Sequence, residues 1–286
     1  MQCNYPVGTY RKDGTPAYRP CGTCIGCRLE YSRQWAIRCV HEAAMHEENT
    51  FITLTYNKEN LPPDLSIDKS EIQKFIKRLR KKLEPKKIRY FGCGEYGDQL
   101  GRPHYHLCLF GHQFNDLEIV HHAPRTYYNG RYKKGNNNDL YISRQLEKEI
   151  WKKGFCTVGE VTFESAGYVA RYCTKKINGS KQREHYKQKE PEFAIMLRRP
   201  GIGTSWLQQY MTDVYPKDYH TIKGVKCRPT RFYDSIYKRE KLEQFEKIKK
   251  ERIKKSEKCE YESDLRGHQK EIHTKNVTKT LERKIH

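Results

Sequence analysis

Residues 88–110 constrain the fold more tightly than any other stretch. Ile88–Glu95 and His104–Phe110 are two runs of strand-forming residues, and the segment between them, Tyr96-Gly97-Asp98-Gln99-Leu100-Gly101-Arg102-Pro103, is rich in turn formers. The pair is expected to close into an antiparallel hairpin. Leu107, Cys108, Leu109 and Phe110 follow one another without a polar break, which marks the second strand as buried and central. His104 and His106 stand two residues apart on it, so their imidazoles share one face.

Two neighbouring imidazoles need a partner, and a divalent cation is the usual one. The hairpin turn returns Glu95 beside them. Two imidazoles and a carboxylate leave open positions for substrate oxygens, and this mixed set suits Mn²⁺ or Mg²⁺. The chain holds 12 histidines, so the His-x-His tripeptide alone is weak. Two hydrogen-bonded histidines packed among apolar neighbours, with Glu95 exposed, fit the same residues.

A second segment carries chemistry. In Tyr168-Val169-Ala170-Arg171-Tyr172-Cys173-Thr174-Lys175-Lys176 the two phenols lie four residues apart, which on a helix places them on one face. Lys175 follows Tyr172 by three and belongs to that side. A phenol is a poor nucleophile because its pKa is near 10. A nearby cation or lysine favours the phenolate and neutralises charge developing on a phosphate. An aromatic stripe packed on a sheet is the plainer alternative, which Arg171, Lys175 and Lys176 argue against.

The surroundings of these segments define an α+β class. Phe51–Tyr56 alternates as a strand. Asp68 is expected to cap a basic amphipathic helix carrying Ile72, Phe75, Ile76, Leu79 and Leu83 and stopped by Pro85. A helix is expected from Arg28 to about His46, a polar irregular insertion over 112–138, a helix over 139–153 and a strand over 155–163. Ser165 is the expected N-cap of a helix from Ala166 to about Lys176. Helical patterning restarts near Phe232 and passes into a mixed-charge tail, exposed or disordered. The expected division is a Cys-rich segment and first helix (1–46), a catalytic domain (47–215) and a basic, mostly helical or disordered tail (216–286).

The formal charge is +21 over 286 residues, a field that draws polyanions, nucleic acid first among them. Arg102, Arg171 and Lys176 are the expected DNA contacts at the site. No stretch approaches membrane-spanning length, and eleven cysteines suggest a reducing compartment rather than a disulfide framework. No phosphate-binding loop of the G-x-x-x-x-G-K-[ST] type is present, so ATP-driven strand separation would come from another protein. Cys21-x-x-Cys24-x-x-Cys27 forms a dense cluster. With Cys3, or with Cys39 or His41, it would complete a structural Zn²⁺ site, and an iron–sulfur site is the lesser alternative. Small buried thiols account for it equally simply.

Three segments, Phe51–Tyr56, Glu95 with Gly101–Leu107, and Gly167–Lys176, together resemble the HUH-type rolling-circle replication initiators of microviruses, the gokushovirus branch above all. The resemblance covers roughly residues 1–200. It implies an antiparallel sheet with helices packed on it, related to the ferredoxin-like HUH endonuclease fold. It implies His104 and His106 as metal ligands with Glu95 in the place of a third, Tyr168 and Tyr172 as paired nucleophiles, and Lys175 as the lysine that follows the tyrosine. Tyr105 departs from the family's usual aliphatic residue between the histidines. The implied activity is nicking of one DNA strand at the viral origin, with the 5′-phosphate retained on tyrosine, a 3′-hydroxyl released, and later rejoining of the displaced strand. Host helicase and DNA polymerase are the implied partners and the host cytoplasm the implied setting. Two alternatives from other classes remain at this stage: a zinc-stabilised nucleic-acid binder without catalysis, and a metal-dependent hydrolase that leaves the tyrosines as packing.

Overall fold

The structure, a computed structural model, describes residues 3–11, 13–97, 100–121, 125–128, 131–134, 139–175, 181–257 and 264–279. The chain opens with β1 (Val7–Tyr10) paired to β2 (Pro16–Arg19), followed by α1 (Ile25–Ala43). It divides into two compact units, residues 35–209 and residues 1–34 with 210–286.

The larger unit is built on β3 (Asn49–Tyr56), α2 (Lys69–Leu83), β4 (Arg89–Tyr96), β5 (Pro103–Phe110) and β6 (Leu117–His121). The hairpin β7 (Arg125–Tyr128) and β8 (Arg131–Lys134) follows, then β9 (Leu140–Ser143), a π-helix (Leu146–Trp151) and β10 (Gly154–Gly159). Next come α3 (Phe163–Lys175), α4 (Lys181–Tyr186), β11 (Phe193–Met196) and the start of α5 (Thr204–Val214). Seven strands form one antiparallel sheet in the order β11-β4-β5-β3-β10-β9-β6. The expected α+β class and the expected hairpin are both present, with β5 flanked by β4 and β3 inside the sheet.

Each face of that sheet has its own core. On one, Ile52, Leu54, Tyr105, Leu107 and Leu109 pack with Ile72, Phe75 and Leu79 of α2 and with Trp151. On the other, Phe51, Phe91, Cys93 and Cys108 pack with Trp35 and Cys39 of α1 and with Val169 and Ala170 of α3. Alternation along β3, β4 and β5 sorts the side chains between the two. Tyr105 lies on the α2 face, fully buried, and its hydroxyl meets that of Tyr56 at 3.0 Å and accepts the Asp68 amide at 2.8 Å. Those bonds make a tyrosine acceptable between the two histidines. Asp68 caps α2 as expected, accepting the Ser70 amide at 2.7 Å.

Three local expectations need correction. The insertion over 112–138 is not wholly irregular: β6 joins the sheet through β9, and Phe114 is buried. The helix expected over 139–153 is a strand followed by a π-helix. Leu140-Tyr141-Ile142 is β-forming and pairs with β6, while Leu146, Ile150 and Trp151 are all buried. A π-turn is wider than an α-turn, so residues five apart, 146 and 151, come onto one face. Lys152 donates accordingly to Glu147, five residues back, at 2.8 Å. Finally, α3 is capped by Thr162, not Ser165: the Thr162 hydroxyl accepts the Ser165 amide at 3.1 Å, and the Ser165 hydroxyl accepts the Thr162 amide at 2.8 Å.

The smaller unit continues with β12 (His220–Ile222), β13 (Val225–Cys227), α6 (Arg231–Glu240), α7 (Leu242–Glu257) and α8 (Asp264–Lys279). Arg252 of α7 pairs with Asp218 and with Asp234 of α6, the latter at 2.7 Å, and Tyr215 donates to Asp234 at 2.7 Å. The α7 sequence is densely charged, yet this part-buried network ties it to α6. Among the described residues no helix is long and apolar enough to cross a membrane.

Candidate active site

The register of β3, β4 and β5 assembles the site. His104 lies opposite Glu95 on one side and Thr55 on the other, and His106 lies opposite Cys93 and Thr53. All six therefore face the side of the sheet that α1 and α3 cover. Each imidazole is fixed by its Nδ1: that of His104 meets the Thr55 hydroxyl at 3.1 Å, and that of His106 meets the Thr53 hydroxyl at 3.0 Å. The other edge of His106 faces Glu95, with Nε2 2.7 Å from a carboxylate oxygen and both side chains buried. Glu95 is thus inside, contrary to its alternative reading as an exposed residue.

Burial, reinforced by the charges of His106 and Arg102, lowers the pKa of His104 to about 4. The ring is therefore neutral at physiological pH and keeps a lone pair for a ligand. A Cβ at position 97 would stand 3.0 Å from His104 Nε2, so Gly97 preserves the space in front of that atom. Arg102 donates to the Tyr56 carbonyl at 2.7 Å, a bond that anchors the turn beside His104.

Helix α3 brings the phenol. The Tyr168 ring is buried, edge-on to His106 with centroids 5.2 Å apart, and Phe51 flanks both rings. The Arg171 guanidinium carbon is 6.0 Å from the Tyr168 ring centre. Tyr172 and Lys175 follow on the same helix, with side chains outside the described ones, and Lys176 lies outside the described residues. Four expected residues, His104, His106, Glu95 and Tyr168, thus meet on one face. Thr53 and Thr55 were not singled out from sequence as orienting groups. Their alternation within Phe51–Tyr56 placed them on a common face, but which face depends on the register with β5.

Neutral imidazoles held through Nδ1, with a carboxylate alongside, match the donor chemistry of a divalent cation with mixed N/O ligation. The cysteines form a tighter group. The sulfurs of Cys3, Cys21, Cys24 and Cys27 all lie within 4.8 Å of one another, an arrangement that could hold a metal ion. Among the described residues no other set of three or more His, Cys, Asp and Glu side chains is gathered so closely, the His104–His106–Glu95 set included. Cys3 is the fourth member. Cys39 is buried beside Phe91, and His41 stacks on Trp206 at 3.4 Å.

The fold and site define an α+β protein that presents paired imidazoles and a carboxylate to a tyrosine-bearing helix. A family model described as a replication-associated protein of the ORF2 type matches residues 49–177, the span of these elements. The replication-associated protein ORF2 of Spiroplasma virus 4 is 35% identical over 240 residues, 79% of this chain and 69% of that one. The replication-associated protein VP4 of Bdellovibrio phage phiMH2K is 31% identical over 254 residues, 85% of this chain and 75% of that one. The replication-associated protein ORF4 of Chlamydia phage 1 is 35% identical over 201 residues, 67% of this chain and 47% of that one. No solved structure matches. The chain belongs to this family of microvirus replication-associated proteins.

Proposed function

We propose that the protein initiates replication by nicking one DNA strand at the viral origin, holding the 5′-phosphate on tyrosine, and later rejoining the displaced strand. The observation that carries this reading is the packing of Tyr168 against His106, on the face shared by His104 and Glu95. His104, His106 and Glu95 would hold the catalytic Mn²⁺ or Mg²⁺, which when bound polarises the scissile phosphate. Cys3, Cys21, Cys24 and Cys27 would hold Zn²⁺ in a structural role.

The chain's own residues do the rest. The phenolic oxygen of Tyr168 or Tyr172 loses its proton and attacks phosphorus. The bond from phosphorus to the 3′-oxygen breaks, that oxygen takes up a proton as the 3′-hydroxyl, and the phosphate is left as a tyrosyl ester. In rejoining, a 3′-hydroxyl attacks the ester and the tyrosine is released. Lys175 neutralises charge on the phosphate oxygens, while Arg102, Arg171 and Lys176 hold the strand. Host helicase and polymerase then extend from the 3′-hydroxyl in the host cytoplasm.

Labelled single-stranded origin DNA, incubated with Mn²⁺ and resolved under denaturing conditions, is expected to yield a covalent adduct that the Tyr168→Phe/Tyr172→Phe double variant does not form. An adduct that survives in the double variant overturns the nucleophile assignment. Cleavage without any adduct points instead to a hydrolase using water. Salt-sensitive binding indifferent to divalent cations and to both tyrosines points to a zinc-stabilised binder, the reading that the close gathering of the four cysteines favours.

A further inference from the structure

The four sulfurs are spaced for a tetrahedral ion. With zinc–sulfur bonds near 2.3 Å, tetrahedral thiolates stand about 3.8 Å apart, and the Cys3–Cys24 and Cys21–Cys27 sulfurs are separated by 3.8 and 3.9 Å. All four are free thiols rather than disulfides. Each sulfur also accepts one backbone amide. Cys21 donates to Cys3 at 3.2 Å, Asn4 to Cys24 at 3.3 Å, Cys24 to Cys21 at 3.4 Å and Gly22 to Cys27 at 3.4 Å. Four amides directed at four sulfurs offset the charge that thiolates bring to a metal.

The same few residues hold the last helix. Asn4 donates through its side-chain amide to the Gly267 carbonyl at 3.4 Å, and the Tyr5 hydroxyl donates to Glu271 at 2.7 Å. Gly267 and Glu271 are one turn apart on α8. Among the described residues of α8, Gly267 alone is buried, and Ile272 and Val277 are exposed. The helix has no apolar stripe to bury, and an isolated helix of 16 residues is marginal in water. Its docking depends on the backbone at Asn4, which a Cβ on residue 267 would approach to 2.3 Å.

We infer that one Zn²⁺ bound by Cys3, Cys21, Cys24 and Cys27 fixes Asn4 and Tyr5 and thereby docks α8, so that metal loss releases the C-terminal helix. The inference rests on the structural-zinc part of the proposed function and deepens it by assigning the ion a task. Binding exchanges thiol protons for the metal, with no change in oxidation state.

Two readouts on the full-length protein separate the claims. Metal analysis of the purified protein is expected to give one zinc per chain, and Co²⁺ replacement the charge-transfer and d–d bands of a tetrahedral thiolate site. Cys24→Ser should lose both. A ratio near zero, or an iron cluster in its place, overturns the zinc assignment. Hydrogen exchange reads the second claim: chelation should speed exchange in α8 by roughly tenfold or more, while the amides of β3 and β5 stay protected. Gly267→Ala should retain the metal yet show the same fast α8 exchange, even though alanine favours a helix. Protection of α8 that persists without metal, or in Gly267→Ala, overturns the coupling while leaving the metal site standing.

Discussion

At the residue scale the site depends on two hydroxyls. Thr55 and Thr53 each hold an imidazole by Nδ1, which fixes the ring's orientation and biases which nitrogen is left for a ligand. Thr55→Val keeps the shape of the side chain and removes that bond. Mn²⁺ affinity at the proposed catalytic site is expected to fall by about 10- to 100-fold, the usual cost of losing an outer partner of a metal ligand, with the thermal midpoint little changed. Calorimetric titration beside a melting curve checks this, and unaltered affinity would mean that the hydroxyl does not orient His104. The histidines themselves were legible because a period of two needs only a strand. Their threonine partners were not, because pairing β3 with β5 joins residues 49 to 53 positions apart. Gly97 was legible as a turn former, whereas its duty of leaving room before His104 depends on how the closed hairpin places that ring.

At the scale of elements, α3 matters most, since its entry angle sets where Tyr168 meets His106. Thr162 and Ser165 close its first turn reciprocally, a capping box with serine in the usual place of Glu or Gln. That substitution is why Ser165 passed for the cap in the sequence: either hydroxyl satisfies the rule, and only backbone geometry distinguishes them. Thr162→Ala is expected to destabilise the protein by about 1 kcal/mol, the typical cost of a lost cap. It should also slow adduct formation more than a comparable loss of stability elsewhere, because the helix that frays carries the phenol. Denaturant titration and adduct rates measured side by side test both, and Thr162→Asp, which can still cap, should restore them. The π-helix escaped sequence reading for a different reason. Leu146 and Ile150 have ordinary helical spacing, and it is Trp151, buried at the next position with its indole donating to the Thr55 carbonyl at 3.1 Å, that demands the wider turn.

At the scale of the whole molecule, charge raises the question of which surfaces meet nucleic acid. Sequence alone pointed to the tail, because basic residues are dense there, but α7 spends Arg252 on two internal carboxylates. Helix α2 offers a better-directed surface. Of its seven basic residues, Arg78 is committed to the carbonyls ending the π-helix and Lys74 and Lys82 to acidic partners. Lys77, Arg80 and Lys81 are exposed, share one helical face and line a groove with Tyr90, over which the Arg80 guanidinium carbon lies at 5.6 Å. This groove is on the sheet face opposite His104 and His106. If DNA reaching the site also crosses α2, each cation that meets a phosphate on a single strand contributes about 0.7 to the slope of log affinity against log salt. The triple variant Lys77→Ala/Arg80→Ala/Lys81→Ala should therefore flatten that slope by about 2. Metal affinity and adduct chemistry at low salt should be preserved, since none of the three side chains reaches the site. Anisotropy measured from low to moderate salt decides the matter: an unchanged slope would confine the DNA to the imidazole face, and α2 would be basic only to stay solvated.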